Sequence, residues 1–267
     1  MYSTLLLNIE GEIATITLNR PEKRNAISAP MMSELLAVLD VVERSKVRVA
    51  ILTGAGRSFC AGMDLEMLTA IARQSAQENQ EDSRRMAKMF RRLWSFSKPL
   101  IATVQGAALA GGSGIATLCD FTLATPDAKF GYTEVRIGFL PALVSVFLTR
   151  QIGDKRARDL LLTGRQVNAV EAKDLGLVNE IVPAESLMER AHELAAVLIA
   201  ASPSSLTRAK WLLTAAAADS IDHDLERAIL ENARIRCTPD FKEGIASFLE
   251  KRKPVWAGET GKNDDCP

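Results

Sequence analysis

Histidine is scarce in this chain. His192 and His223 are the only two among 267 residues, and both lie in helical sequence far apart. A metal site needs more ligands, closer together, and a histidine-based triad needs one beside a nucleophile. Neither is expected. Cysteine is also sparse: Cys60, Cys119, Cys237 and Cys266 form no C-x-x-C pair, and their spacing suggests no disulfide framework. That favours a reducing compartment, and the apolar contexts of Cys60 and Cys119 read as small core residues. Neither sign of charge is in excess, with 33 basic and 33 acidic residues. This removes the broad electrostatic case for nucleic acid or an anionic membrane, so an anionic substrate must be held by local basic clusters. No stretch approaches the roughly 18 apolar residues of a membrane helix. The first residues lack the basic and apolar regions of a signal peptide, so a cytoplasmic protein is expected.

Three nucleotide and nucleophile signatures are missing too. No G-x-x-x-x-G-K-[ST] occurs. Gly112-Ser113-Gly114 begins a G-x-G-x-x-G match that Thr117 ends. Gly111-Gly112-Ser113-Gly114-Ile115 fails G-x-S-x-G at its last position, so Ser113 is not an elbow nucleophile.

The chain does have ample apolar residues, 47%, for one large domain or a core with an appendage. Leu5–Glu10 and Ile13–Leu18 alternate around Gly11-Glu12 and predict a hairpin. Ser28 is placed to cap a helix bearing Met31, Leu35, Val38, Leu39 and Val42. Buried strands are expected at Val47–Thr53, Pro99–Val104 and Phe121–Ala124, with helices at Met63–Ala72 and Gly111–Leu118. This alternation implies βαβ units and a largely parallel sheet. Ala76–Ser97, charged and weakly amphipathic with its most polar tract at Gln74–Asp82, reads as a mobile flap. After Val182 the pattern is helical throughout: Leu187–Ala201, Ser204–Ala218, Ile221–Arg236 and Phe241–Arg252. The organisation expected is a core at 1–182, a helical region at 183–256 and a disordered tail at 257–267.

Two segments carry chemistry. In Ala107–Asp120 an apolar strand runs through small residues into a helix. Glycines there allow a ligand to touch the backbone and leave N–H groups free at a positive helix end, an anchor for an oxygen that becomes negative. Close packing of helix on strand accounts for the same glycines. The second segment, Ser58-Phe59-Cys60-Ala61-Gly62-Met63-Asp64-Leu65, follows another buried strand and the turn Gly54-Ala55-Gly56. Two such junctions can offer one N–H each to a single acceptor.

Together with Leu18–Ala26, these segments resemble the enoyl-CoA hydratase/isomerase family, the crotonase superfamily, in the family's order from about Leu5 to Lys253. The resemblance implies a spiral of repeated ββα units with an all-helical C-terminal region that builds a homotrimer or a dimer of trimers. It implies an acyl-CoA thioester substrate, no metal and no cofactor, CoA being part of the substrate. The oxyanion donors it assigns are the backbone amides of Met63 and Gly111. Phe130–Gly138 resembles F-G-x-x-E-x-x-x-G, which makes Glu134 the catalytic carboxylate. Flanked by Val135 and Ile137, Glu134 is expected to be partly desolvated, with a raised pKa; a solvated loop glutamate is the bland reading. Lys23, Arg24, Ala61, Asp64 and Lys251 match the CoA-binding regions, although each cation could equally be a solvated surface residue. Gly114 stands where the best-known hydratases carry a second glutamate. Phe139–Leu148 resembles branched-chain or methylglutaconyl-type hydratases, and Arg136 is either a partner for a second substrate carboxylate or a surface arginine. The resulting expectation is reversible addition of water to a 2-enoyl-CoA. The alternatives are a Δ3,Δ2-enoyl-CoA isomerase using Glu134 alone, and a non-catalytic acyl-CoA-binding subunit.

Overall fold

The computed structural model describes residues 2–257 of the chain. The hairpin forms as the alternation predicts: β1 (Leu5–Glu10) pairs antiparallel with β2 (Ile13–Leu18) through the positive-φ turn at Gly11. A crossover helix α1 (Ala29–Arg44) leads to β3 (Val49–Gly54), parallel to β2. Ser28 caps α1 by accepting from the Met31 N–H at 3.3 Å. Then follow α2 (Leu65–Ile71), α3 (Ala76–Trp94), β4 (Leu100–Val104), β5 (Ala107–Leu109), α4 (Gly111–Thr117), β6 (Phe121–Ala124) and β7 (Lys129–Gly131). The remaining core elements are α5 (Ala142–Ile152), α6 (Asp154–Thr163), β8 (Gln166–Asn168), α7 (Ala169–Leu175) and β9 (Glu180–Ile181).

The strands make two sheets. The larger has the order β1-β2-β3-β4-β6-β9 and is parallel from β2 onward. Every residue of β4 is buried, as expected of a parallel strand covered on both faces. The smaller sheet is β5-β7-β8, extended by single bridges from Ala108 to Cys60 and from Met63 to Ile27. Each ββα turn thus places one strand in the large sheet and a short one in the small sheet. The architecture is the α/β spiral with helical C-terminal region expected from the sequence.

The last four helices among the described residues are α8 (Leu187–Ala200), α9 (Pro203–Ala215), α10 (Ala218–Ile235) and α11 (Pro239–Leu249). The first belongs to the core, because Leu187, Ala191 and Ala195 of α8 bury Val49, Ile51, Ile101 and Leu123 on the outer sheet face. Of the others, α10 and α11 reach the cavity described below, through Asn232 and Arg236 and through Phe248 and Leu249. Among the described residues no helix is long and apolar enough to cross a membrane. The expected disordered tail lies outside the described residues from position 258 onward.

One sequence expectation is corrected. The segment read as a weakly amphipathic flap is a packed helix, α3, with one continuous buried stripe running from Asn79 through Met86 and Phe90 to Leu93. Its polar tract is polar because its partner is: Asp82 pairs with Arg236, at the end of α10, at 2.9 Å. Cys60 and Cys119 are free and buried as expected, and burial raises the Cys60 thiol to about 12.

A close helix-to-turn approach joins α11 to the 3-10 turn Glu134–Ile137. A Cβ on Gly244 would stand 2.1 Å from the Ile137 carbonyl oxygen, and one on Gly138 would stand 2.3 Å from the Asp240 oxygen. Phe139 and Phe241 close the seam with ring centroids 5.3 Å apart. Gly244→Ala should therefore lower stability by about 1–3 kcal/mol through overpacking. Urea unfolding measures this, and an unchanged midpoint would show that α11 has room to move off the turn.

Candidate active site

One wall of the site is built by a loop with unusual backbone. Arg24 and Asn25 both have positive φ, 50° and 54°. Asn25 is fully buried; its Oδ1 accepts from the Arg20 N–H at 2.8 Å, and its Nδ2 donates to the Ala55 and Ser58 carbonyls, both at 2.8 Å. Asparagine tolerates this conformation and satisfies three backbone groups from one side chain. Arg20 then ties the loop to the next segment through Asp64 at 2.7 Å. Asp64 is buried and caps α2 by accepting from the Glu66 N–H at 2.9 Å.

Between these elements the direction of one amide is fixed. The Ile27 N–H donates to the Gly62 carbonyl at 2.7 Å, and the Asp64 N–H donates to the Ile27 carbonyl at 2.9 Å. In a parallel bridge the residue between those two partners points its own N–H the other way. The Met63 N–H therefore faces away from Ile27, toward β5 and the start of α4. The Cys60–Met63 turn packs on that side: Cys60 N–H donates to Ala107 O and Leu109 N–H to Cys60 O, both at 3.0 Å.

The first turn of α4 presents the second amide. Ala110 precedes it at φ 50°, ψ −124°, a conformation that costs a non-glycine residue strain. It is held by donation of its N–H to the Gly131 carbonyl at 2.7 Å. The next N–H, that of Gly111, is the first of the helix and has no intrahelical acceptor. Among the described residues neither the Met63 nor the Gly111 N–H donates to a backbone carbonyl. Close approach sets the glycines here. A Cβ on Gly112 would lie 2.2 Å from the Cys60 oxygen, and one on Gly111 would lie 2.9 Å from Ile27 Cδ1. Ser113 uses its hydroxyl structurally, donating to Ala108 O at 2.6 Å and accepting from Gly131 N at 3.0 Å.

Met63, Gly111 and Glu134 line one cavity of about 940 Å³, together with Met86, Phe90, Leu140, Leu143 and Val144. Glu134 is 7% exposed and its Oε2 has no hydrogen-bond partner among the described residues. Burial raises its carboxyl to about 7. The solvated-loop reading of this residue is thereby excluded. Lys23, Arg24, Ala61, Asp64 and Lys251 also line the cavity, and the three cations are exposed. Lys23 pairs with Glu66 at 2.8 Å. Arg136 lines it from an exposed position. Gly114 is the exception. It is buried off the cavity wall, where a Cβ would meet Val144 Cγ1 at 2.7 Å and the Phe90 ring at 3.2 Å.

Sequence reasoning assigned no role to Arg20, Asn25, Asn232 or Arg236. The last two follow Ile229 on one helical face, at i+3 and i+7, with Ala233 between. A strong polar residue on an otherwise apolar stripe was the available signal. Among the described residues no group of three or more His, Cys, Asp or Glu side chains is gathered to hold a metal.

The buried carboxyl has a thermodynamic consequence. Its folded pKa, about 7, exceeds its ordinary value of 4.5, so the native state holds a proton that the unfolded chain releases between those values. Stability is fully present below pH 4.5 and is lost as pH rises through about 7. The loss is about 3 kcal/mol. Glu134→Gln carries no such charge, so its melting temperature should exceed that of the wild type increasingly from pH 5 to pH 8. A difference that does not change with pH would show that Glu134 ionises without penalty.

Residues 8–259 match the family model described as enoyl-CoA hydratase/isomerase. A putative enoyl-CoA hydratase of Thermus thermophilus is 45% identical over 246 residues, 92% of this chain and 97% of that protein. A crotonyl-CoA hydratase of Syntrophomonas wolfei is 36% identical, with 94% and 97% covered. Among solved structures, an enoyl-CoA hydratase/isomerase from Xanthobacter autotrophicus Py2 superposes with a TM-score of 0.88 at 31% identity, covering 94% of both chains. A match over nearly the whole length, joined to the same fold, is decisive: the chain belongs to the enoyl-CoA hydratase/isomerase family.

Proposed function

We propose that this enzyme adds water reversibly to a 2-enoyl-CoA thioester. The observation that carries the reading is Glu134, whose buried Oε2 has no hydrogen-bond partner among the described residues, on the same cavity as the Met63 and Gly111 N–H groups, neither of which donates to a backbone carbonyl there. The thioester oxygen sits against the Met63 and Gly111 amides, where charge grows as the β-carbon is attacked. Each donor contributes about 3 kcal/mol to the transition state. The Glu134 carboxylate takes a proton from water while the water oxygen bonds to the β-carbon. The same carboxyl then returns that proton to the α-carbon as the enolate collapses. One group serves both steps, and no electron is gained or lost, so no cofactor is required beyond the CoA of the substrate.

The other carboxylates on the wall are occupied or remote in role. Asp64 is committed to Arg20 and to the α2 cap, and Glu22 is exposed. We assign Asp64 and Ala61 to shaping the loop that CoA passes, and Lys23, Arg24 and Lys251 to its phosphates. The exposed Trp211, Leu212 and Leu213 of α9 support assembly into a homotrimer or a dimer of trimers. A second reading, Δ3,Δ2-isomerisation by proton transfer between carbons, has one observation in its favour. Gly114 provides no second carboxylate, and Phe90 and Val144 take the space in front of it.

The test offers the enzyme a 2-enoyl-CoA and a 3-enoyl-CoA while the conjugated thioester absorbance is followed. Hydration consumes the first and incorporates solvent oxygen. Glu134→Gln should reduce the rate at least ~100-fold, and wild-type kcat/KM should rise with pH through about 7 as the base ionises. Efficient conversion of the 3-enoyl thioester with no water added to any 2-enoyl thioester would replace the hydratase reading by the isomerase one. No turnover of either would leave a binding subunit.

A further inference from the structure

The cavity wall carries a buried polar cluster that this chemistry leaves unused. Arg236 is 1% exposed and lines the same cavity as Glu134. Its Nη1 lies 2.9 Å from Asp82 Oδ2 and 3.3 Å from both the carbonyl and side-chain oxygens of Asn79. Its Nη2 donates to Asn232 Oδ1 at 2.8 Å, which also accepts from Ser83 Oγ at 2.8 Å. The guanidinium lies over the Phe139 ring, 5.5 Å from its centroid. Its Nε–H, however, has no acceptor among the described residues. Asn232 lines the cavity as well, and its Nδ2 makes only a long contact, 3.4 Å, to the Leu140 carbonyl.

The clamp between α3 and α10 is made by Asp82, Asn79 and Ser83 and does not use the Arg236 Nε–H. A buried N–H without an acceptor costs stability, so its retention calls for a reason. Asp82 already cancels the arginine charge. A second carboxylate at this guanidinium would meet Asp82 as a like charge in a poorly screened site. An uncharged oxygen accepts the same hydrogen bond without that repulsion. Met86, Phe90, Leu140, Leu143 and Val144 offer an apolar lining for the carbons that would precede it.

We propose that Arg236 and Asn232 bind an uncharged oxygen, a hydroxyl or a carbonyl, on the distal part of the acyl chain. The preferred substrate is then an oxygenated acyl thioester rather than a plain hydrocarbon one. This rests on the acyl-CoA reading of the cavity.

The test uses saturated acyl-CoA thioesters of equal chain length, which cannot be hydrated, so the outcome is independent of turnover. Calorimetry compares chains ending in methyl, hydroxyl and carboxylate on the full-length protein. The hydroxyl form should bind about tenfold more tightly than the methyl form, the ratio expected of one hydrogen bond to a charged donor. The carboxylate form should bind more weakly than the hydroxyl form. In Arg236→Met/Asp82→Leu, which removes both charges so that neither is left buried alone, the hydroxyl-to-methyl ratio should fall to about one. Equal binding of the hydroxyl and methyl forms by the wild type overturns the proposal whether or not the double variant folds. So does a ratio that survives in the folded double variant. Tightest binding of the carboxylate form overturns the uncharged assignment. Failure of all three to bind overturns the acyl-CoA reading itself, and this proposal with it.

Discussion

Keeping the Glu134 carboxyl out of water is the constraint on which the rest of the site depends. A carboxyl with an ordinary pKa is ionised and hydrated at neutral pH, and a poor match for proton exchange with carbon or water. Here the 3-10 turn that bears it is pressed from outside by α11, and glycines at 138 and 244 permit backbone-to-backbone contact across that seam. α11 therefore supports the turn that bears Glu134 from more than a hundred positions later in the chain.

The small sheet does the complementary work. Its strands are too short to contribute much core, yet they fix the relative height of Ile27, Met63, β5 and β7. Ser113 couples β5 to β7 and α4 through one hydroxyl, and Ala110 is kept in a strained conformation by a bond to Gly131. Strain at that residue is tolerated because the Gly131 bond and the Ser113 hydroxyl fix the junction on both sides.

Much of this was legible in the residues. The hairpin, the parallel strands, the Ser28 cap and the helical C-terminal region all follow from periods of two and 3.6 and from capping chemistry. Glu134 could be singled out only through the motif around it, since local composition does not reveal that α11 will bury it. The polar tract of α3 was misread for the same kind of reason: Asn79, Asp82 and Ser83 look solvent-facing until Asn232 and Arg236 arrive from about 150 positions away. Gly114 is legible as a missing carboxylate, but not as a position screened by Phe90 and Val144. Long-range polar pairing leaves no periodic trace in either partner.

The bridge between Ile27 and Met63 also bears on which sequence changes the site can absorb. An amide that points because of its ladder is indifferent to its own side chain, so position 63 can drift among apolar residues without turning the donor. Length is another matter. Inserting or deleting one residue between Cys60 and Asp64 would rotate the strand by one half-period and replace the inward N–H with a carbonyl. A donor would become an acceptor, and the proposed hold on a thioester oxygen would be lost. In this region chain length is a stronger constraint than residue identity.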